Sequence, residues 1–69
     1  MRPRSVLRFE GGALAIEIDG AAVARIALAD LRVVTFDGKC AFRSKSGAVA
    51  HELRMEDTPD ALLLAAIFT

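Results

Sequence analysis

Four short turn signals, Gly11-Gly12, Asp19-Gly20, Asp37-Gly38 and Ser46-Gly47, cut most of this chain into runs of strand length. Glycine reaches positive φ without steric cost, so each pair suits the tight loop of a β-hairpin. The runs between them alternate as half-buried strands do. Leu7, Phe9, Leu14, Ile16 and Ile18 fall on one face, and Arg8, Glu10, Ala15 and Glu17 on the other. A Gly11-Gly12 loop pairs Phe9 with Leu14 and Leu7 with Ile16, apolar with apolar, so residues 5 to 18 read as one hairpin.

The second turn is less simple. A two-residue loop at Asp19-Gly20 sets Arg25 opposite Leu14 and drives a charge into the core. A three-residue loop, Asp19-Gly20-Ala21, pairs Ile16 with Ala24 and Leu14 with Ile26, and is the register expected. Beyond Leu28, Ala29-Asp30-Leu31 is too short for a helix and reads as a corner, with Asp30 suited to bond a tight-turn backbone. Residues 32 to 37 are β-branched and aromatic, with Val34 and Phe36 on one side and Val33 and Thr35 on the other. Both faces of that strand are apolar, as for a strand sandwiched between layers or exposed at a contact.

About Ser46-Gly47, residues 39 to 55 form a further hairpin with Cys40 opposite Leu53, Phe42 opposite His51 and Ser44 opposite Val49. Its inward set is Cys40, Phe42, Val49, His51, Leu53 and Met55. Lys39, Ala41, Arg43 and Lys45 point the other way, with Ala48, Ala50, Glu52 and Arg54 from the partner strand. The last element opens on Glu56-Asp57-Thr58-Pro59-Asp60. Asp57 or Thr58 would cap a helix there, Pro59 would take its first position, and Asp60 would suit its positive end. Ala61 to Phe68 follows, apolar at every position, and a helix apolar all round is buried on more than one side.

Sixty-nine residues make a single domain, 1–69, with residues 1–4 as a flexible arm; a chain this small buries only about 60% of its unfolded surface. Against that limit, 54% of the residues are hydrophobic, though much of that share is alanine, which adds little buried area. Part of the apolar surface is expected to meet a partner. Nine basic and nine acidic residues cancel, so no global field favours nucleic acid, an anionic membrane or an acidic substrate. One cysteine excludes an internal disulfide and fits a reducing, cytoplasmic setting. No signal-peptide pattern follows the basic start, and the longest apolar run is far short of the about 20 residues of a membrane span.

Gly12-x-Leu14-x-Ile16, followed by Arg25-Ile26-Ala27-Leu28-Ala29-Asp30-Leu31-x-x-Val34 and a terminal helix, resembles the bacterial PH-like domains over residues 12 to 68. The resemblance rests on hydrophobic and turn positions. It implies a strongly bent antiparallel sheet plugged by the final helix, serving in protein contacts or assembly. The chain departs from that family in having one strand fewer, and in a first hairpin loop, Glu10-Gly11-Gly12, without the basic residues of the lipid-binding members. The expected architecture is mainly β, with about six antiparallel strands in a strongly bent sheet or small barrel closed by one C-terminal helix.

Candidate chemistry is sparse. Cys40 and His51 lie diagonally across one hairpin, but no oxyanion donor or orienting acid accompanies them, and a zinc site would lack two of its usual ligands. Both are read as core residues. Glu52, Glu56, Asp57 and Asp60 gather near the helix start, where capping and the helix dipole account for them better than acid-base catalysis does. Lys39, Arg43 and Lys45 share a strand face, and Arg2, Arg4 and Arg8 stand at the other end of the chain; sheet curvature could bring them to one polyanion. A polyanion or nucleic-acid contact through Arg43, Lys45 and Arg4 is therefore the alternative reading, with nucleic acid not the expected partner. The first reading is a non-enzymatic interaction or assembly module with no cofactor, metal or catalytic residue. It self-associates, as a dimer, through Val34, Phe36, Leu63, Leu64, Ile67 and Phe68.

Overall fold

The computed structural model describes residues 4–69. It contains strands β1 (Ser5–Glu10), β2 (Ala13–Ile18), β3 (Ala21–Ala27), β4 (Leu31–Phe36), β5 (Lys39–Ser44) and β6 (Ala50–Arg54), and one helix, α1 (Ala61–Ile67). Single 3-10 turns at Leu28–Asp30 and Met55–Asp57 mark the two corners. The strands divide into two three-stranded antiparallel meanders, β1-β2-β3 and β4-β5-β6, neither closed on itself among the described residues.

Turn chemistry sets the registers. Gly11 and Gly12 have φ of 60° and 69°, and β1 meets β2 with Phe9 opposite Leu14 and Leu7 opposite Ile16. Gly11 is also crowded: a Cβ there would stand 3.2 Å from Nη2 of Arg25. Asp37 and Gly38 are both left-handed, at 47° and 73°, as a two-residue type I′ loop requires, and they bring Phe36 opposite Lys39. In the last hairpin Cys40 faces Leu53 and Phe42 faces His51, while Ser44 N–H donates to Val49 O at 2.9 Å.

The expected pairing of Leu14 with Ile26 and Ile16 with Ala24 is present, but not through a three-residue loop. Asp19 and Gly20 form a two-residue loop at φ 51° and 82°, Ile18 meets Ala21, and the register shifts between Ile16 and Glu17. Val23 is the extra residue of a β-bulge. A bulge changes the phase of a strand in mid-course, so the tight loop and the burial of Ile26 are both met.

The meanders face each other across one core of Leu14, Ile16, Ile26, Leu31, Val33, Cys40, Phe42 and Ala61. Val49, Leu53 and Met55 pack against its rim, and His51 is half-buried. Asp30 joins the sheets differently from the corner role expected of it: its carbonyl and its carboxylate both accept from Lys45 N–H, at 2.8 and 3.0 Å. Arg4 is held at the first sheet, its N–H donating to Asp19 Oδ1 and its carbonyl accepting Asp19 N–H, each at 2.8 Å. Residues 1–3, with Arg2 and most of the expected arm, lie outside the described residues.

The start of α1 departs from its sequence signals. Thr58 is buried, and its hydroxyl donates back to Arg54 O at 2.9 Å, fastening the 3-10 turn instead of capping the helix. Asp60 is the residue preceding the helix, in the left-handed region at φ 57° and with no side-chain cap, and Pro59 precedes it. The 3-10 turn at Met55–Asp57 takes up the residues that would have capped, so the chain enters α1 through a left-handed kink. At the other end Phe68 O accepts Val33 N–H at 2.7 Å, tying the helix to the outer edge of β4. No helix is long and apolar enough to cross a membrane among the described residues.

Candidate functional site

A seven-residue helix has no independent stability in water, so α1 exists because one side of it is packed. Ala61, Leu64, Ala65 and Phe68, at i, i+3, i+4 and i+7, meet the core, and Phe68 stacks on Phe9 with ring centroids 6.5 Å apart. The remaining positions face outward. Leu62, Leu63 and Ile67 are 69%, 58% and 60% exposed. Of the residues expected at an interface, Leu63 and Ile67 thus stand on the outer face of α1, while Leu64 and Phe68 are half-buried and hold the helix down. Val34 and Phe36 are 39% and 37% exposed on the outward face of β4. Leu62, the most exposed of all, is the residue that sequence reasoning passed over. The spacing contained the signal, since an inward stripe at 61, 64, 65 and 68 leaves 62, 63, 66 and 67 outside.

The second sheet's outer face carries most of its charge. Directly opposed residues in an antiparallel pair share a face, so Arg32, Val34 and Phe36 of β4 stand beside Arg43, Ala41 and Lys39 of β5, with Ala50, Glu52 and Arg54 beyond on β6. At one end the cations have carboxylates: Lys39 Nζ lies 3.9 Å from Glu52, and Arg54 Nη1 lies 3.4 Å from Glu56. At the other end Arg32 is directly opposite Arg43, and neither has a carboxylate within ion-pair distance among the described residues. These two and Lys45 line an open cleft of about 590 Å³ whose floor and far wall include Val33, Val34 and Ala65. Arg4 belongs to a different cleft, with Leu7, Phe9 and Leu64, so the structure does not bring it to Arg43 and Lys45. Arg32 takes its place. The two-residue Asp37-Gly38 loop already implied this pairing, since it fixes residue 32 opposite residue 43.

Cys40 is fully buried, and desolvation pushes its thiol above the ordinary value of 9.0, away from the thiolate a nucleophile needs. His51 faces Phe42 across the hairpin, two residues along the strand from Cys40's own partner Leu53. No group of three or more metal-ligating side chains occurs among the described residues. The acidic residues near α1 are divided, with Glu52 and Glu56 on Lys39 and Arg54 and Asp60 in the kink before the helix. No protein-family model matches the chain, and no curated protein or solved structure shows significant similarity to it.

Proposed function

We propose that this chain is a small non-enzymatic interaction and assembly module of the cytoplasm that pairs with a second copy of itself through the outer face of α1. The carrying observation is that Leu62, Leu63 and Ile67 stand together on that face, each more than half exposed, on a helix whose opposite side is already packed. Leaving three large aliphatic side chains mostly in water forgoes over half of the roughly 1.5–3 kcal/mol apiece that full burial gives. A two-fold axis through the helix lays Leu63 and Ile67 of one copy against those of the other, the self-complementary arrangement of most homodimers. Val34 and Phe36 widen the apolar area along β4. A standard interface removes roughly 800 Å² from each partner, near a fifth of this chain's 4472 Å². The sequence resemblance to the bacterial PH-like domains, which implies a role in protein contacts or assembly, favours the same reading, while the six strands here form two meanders in place of one bent sheet.

Light scattering coupled to size exclusion at low micromolar concentration tests this. The chain is expected to run as a dimer, and Leu63→Glu with Ile67→Lys as a monomer with an unchanged circular dichroism spectrum. A wild-type chain that is monomeric throughout, and indifferent to both substitutions, rejects the proposal.

A further inference from the structure

The Arg32 and Arg43 pair is a local expense that the fold itself does not need. Like charges directly opposed on neighbouring strands repel, and any neutral polar residue would cover an outer sheet face as well. Elsewhere on the same face the sequence supplies acids, Glu52 for Lys39 and Glu56 for Arg54, but none here. The nearby loop is also fixed by its own bonds. Ser44 and Ser46 share a hydroxyl hydrogen bond at 3.1 Å, Gly47 N–H donates to Ser44 O at 2.9 Å, and Lys45 is anchored through its N–H to Asp30. The Asp30 carboxylate is engaged by that backbone amide and does not line the cleft. Three cations therefore border one open cleft of ligand size, with Val34 and Ala65 as its apolar part.

We propose that this cleft binds a phosphate monoester, with the phosphate held by the Arg32 and Arg43 guanidinium forks and Lys45, and its organic part against Val34 and Ala65. Arginine forks match the oxygens of phosphate and carboxylate alike, but a carboxylate answers one of the three charges where a phosphate dianion answers about two. The ligand is small rather than a long polyanion. Beyond Arg43 the cations of this face are matched by carboxylates, so the unanswered charge is cleft-sized and not a track, and Phe36, the aromatic group of this face, stands at the matched end opposite Lys39. This inference does not rest on helix-mediated pairing: Val34 is the residue the two surfaces share, so Leu63→Glu should bind at least as tightly as wild type does.

Phenyl phosphate titrated at low ionic strength, followed by the Nε–H signals of the arginines and the amides of Ser46 and Gly47, provides the test. Saturable shifts at Arg32 and Arg43 are expected, tighter than with benzoate. Arg32→Gln or Arg43→Gln should each weaken binding roughly tenfold or more, and Arg8→Gln on the other sheet should leave it unchanged. Two arms identify the source of the monoester. Displacement of phenyl phosphate by adenosine monophosphate indicates a soluble ligand, whereas Arg43-dependent sedimentation with phosphatidic acid vesicles, and not with phosphatidylcholine, indicates a lipid headgroup. The proposal is overturned by shifts that do not saturate, by an equal response in the arginine variants, or by an oligothymidylate that outcompetes phenyl phosphate and extends the shifts to Lys39 and Arg54.

Discussion

The two meanders are built from similar parts and use them differently. In the first, Arg8 and Arg25 flank the buried Ala15 from either side, and Arg8 Nε has a carboxylate, Glu17, at 3.0 Å. Its edge strand β3 bears a bulge and an arginine, devices that discourage another chain from adding to it. In the second, the edge strand β4 is tied to the end of α1, the core face holds Cys40 and Phe42, and one end of the outer face is left with unanswered positive charge. The first sheet leaves Phe9 and Val23 exposed but sets no two cations opposite each other, whereas the second sets Arg32 against Arg43. Both candidate surfaces, the outer face of α1 and the arginine cleft, belong to the second.

The contrast can be broken most forcefully at Phe42, fully buried in the second sheet. Phe42→Ala should cost about 3–5 kcal/mol, against about 2–5 for Leu14→Ala in the first sheet. Since a domain of this length has only roughly 3–10 kcal/mol in hand, Phe42→Leu, at about 1, keeps the comparison measurable by urea denaturation. A cost below about 1 kcal/mol for Phe42→Ala would mean that the sheets do not share a core.

A smaller difference is set by pH. The Cys40 thiol is raised in the folded chain, so above its ordinary value of 9.0 the unfolded chain loses that proton while the folded chain keeps it. Stability from this source is complete below pH 9 and falls as pH rises towards the folded value, by at most about 1.4 kcal/mol per pH unit. Thermal melts between pH 8 and 10 should show the fall in wild type and a weaker one in Cys40→Ala. Equal slopes in the two would remove burial of the thiol as its cause.

The smallest effect distinguishes the outer faces. At low salt and without phosphate, Arg43→Gln should stabilise the chain by a few tenths of a kcal/mol by relieving its opposition to Arg32. Arg8→Gln should instead cost up to about 0.5, through loss of an exposed ion pair. Both differences should vanish near 1 M salt. Changes of the same sign would show that the two faces are electrostatically alike.

The sheets were legible in the sequence because their determinants are local. Alternation and the turn pairs place Leu7, Phe9, Leu14, Cys40 and Phe42 against their observed partners with no knowledge of the rest. The second hairpin reached the observed register by a different route, because a long loop and a bulge answer the same phase requirement and the local sequence favours neither. The helix start departs from its sequence signals because two local arrangements compete: Thr58 can cap a helix or fasten the turn after β6, and its hydroxyl bonds back to Arg54 O. At the candidate site, Arg43 and Lys45 were found, but Arg4 was joined to them through a curvature that two separate sheets do not have. Arg32 was missed because its meaning lies in its neighbour across the strand, not in its own position along the chain.

The bulge in β3 makes one residue superfluous in an informative sense. Without Val23, Ile18 would still meet Ala21, Ile16 would still meet Ala24, and Leu14 would still meet Ile26, all about the same two-residue loop. Neither turn nor register calls for that residue. Its presence interrupts regular pairing along an edge strand of the first sheet, and a bulged edge is a poor template for a strand from another chain.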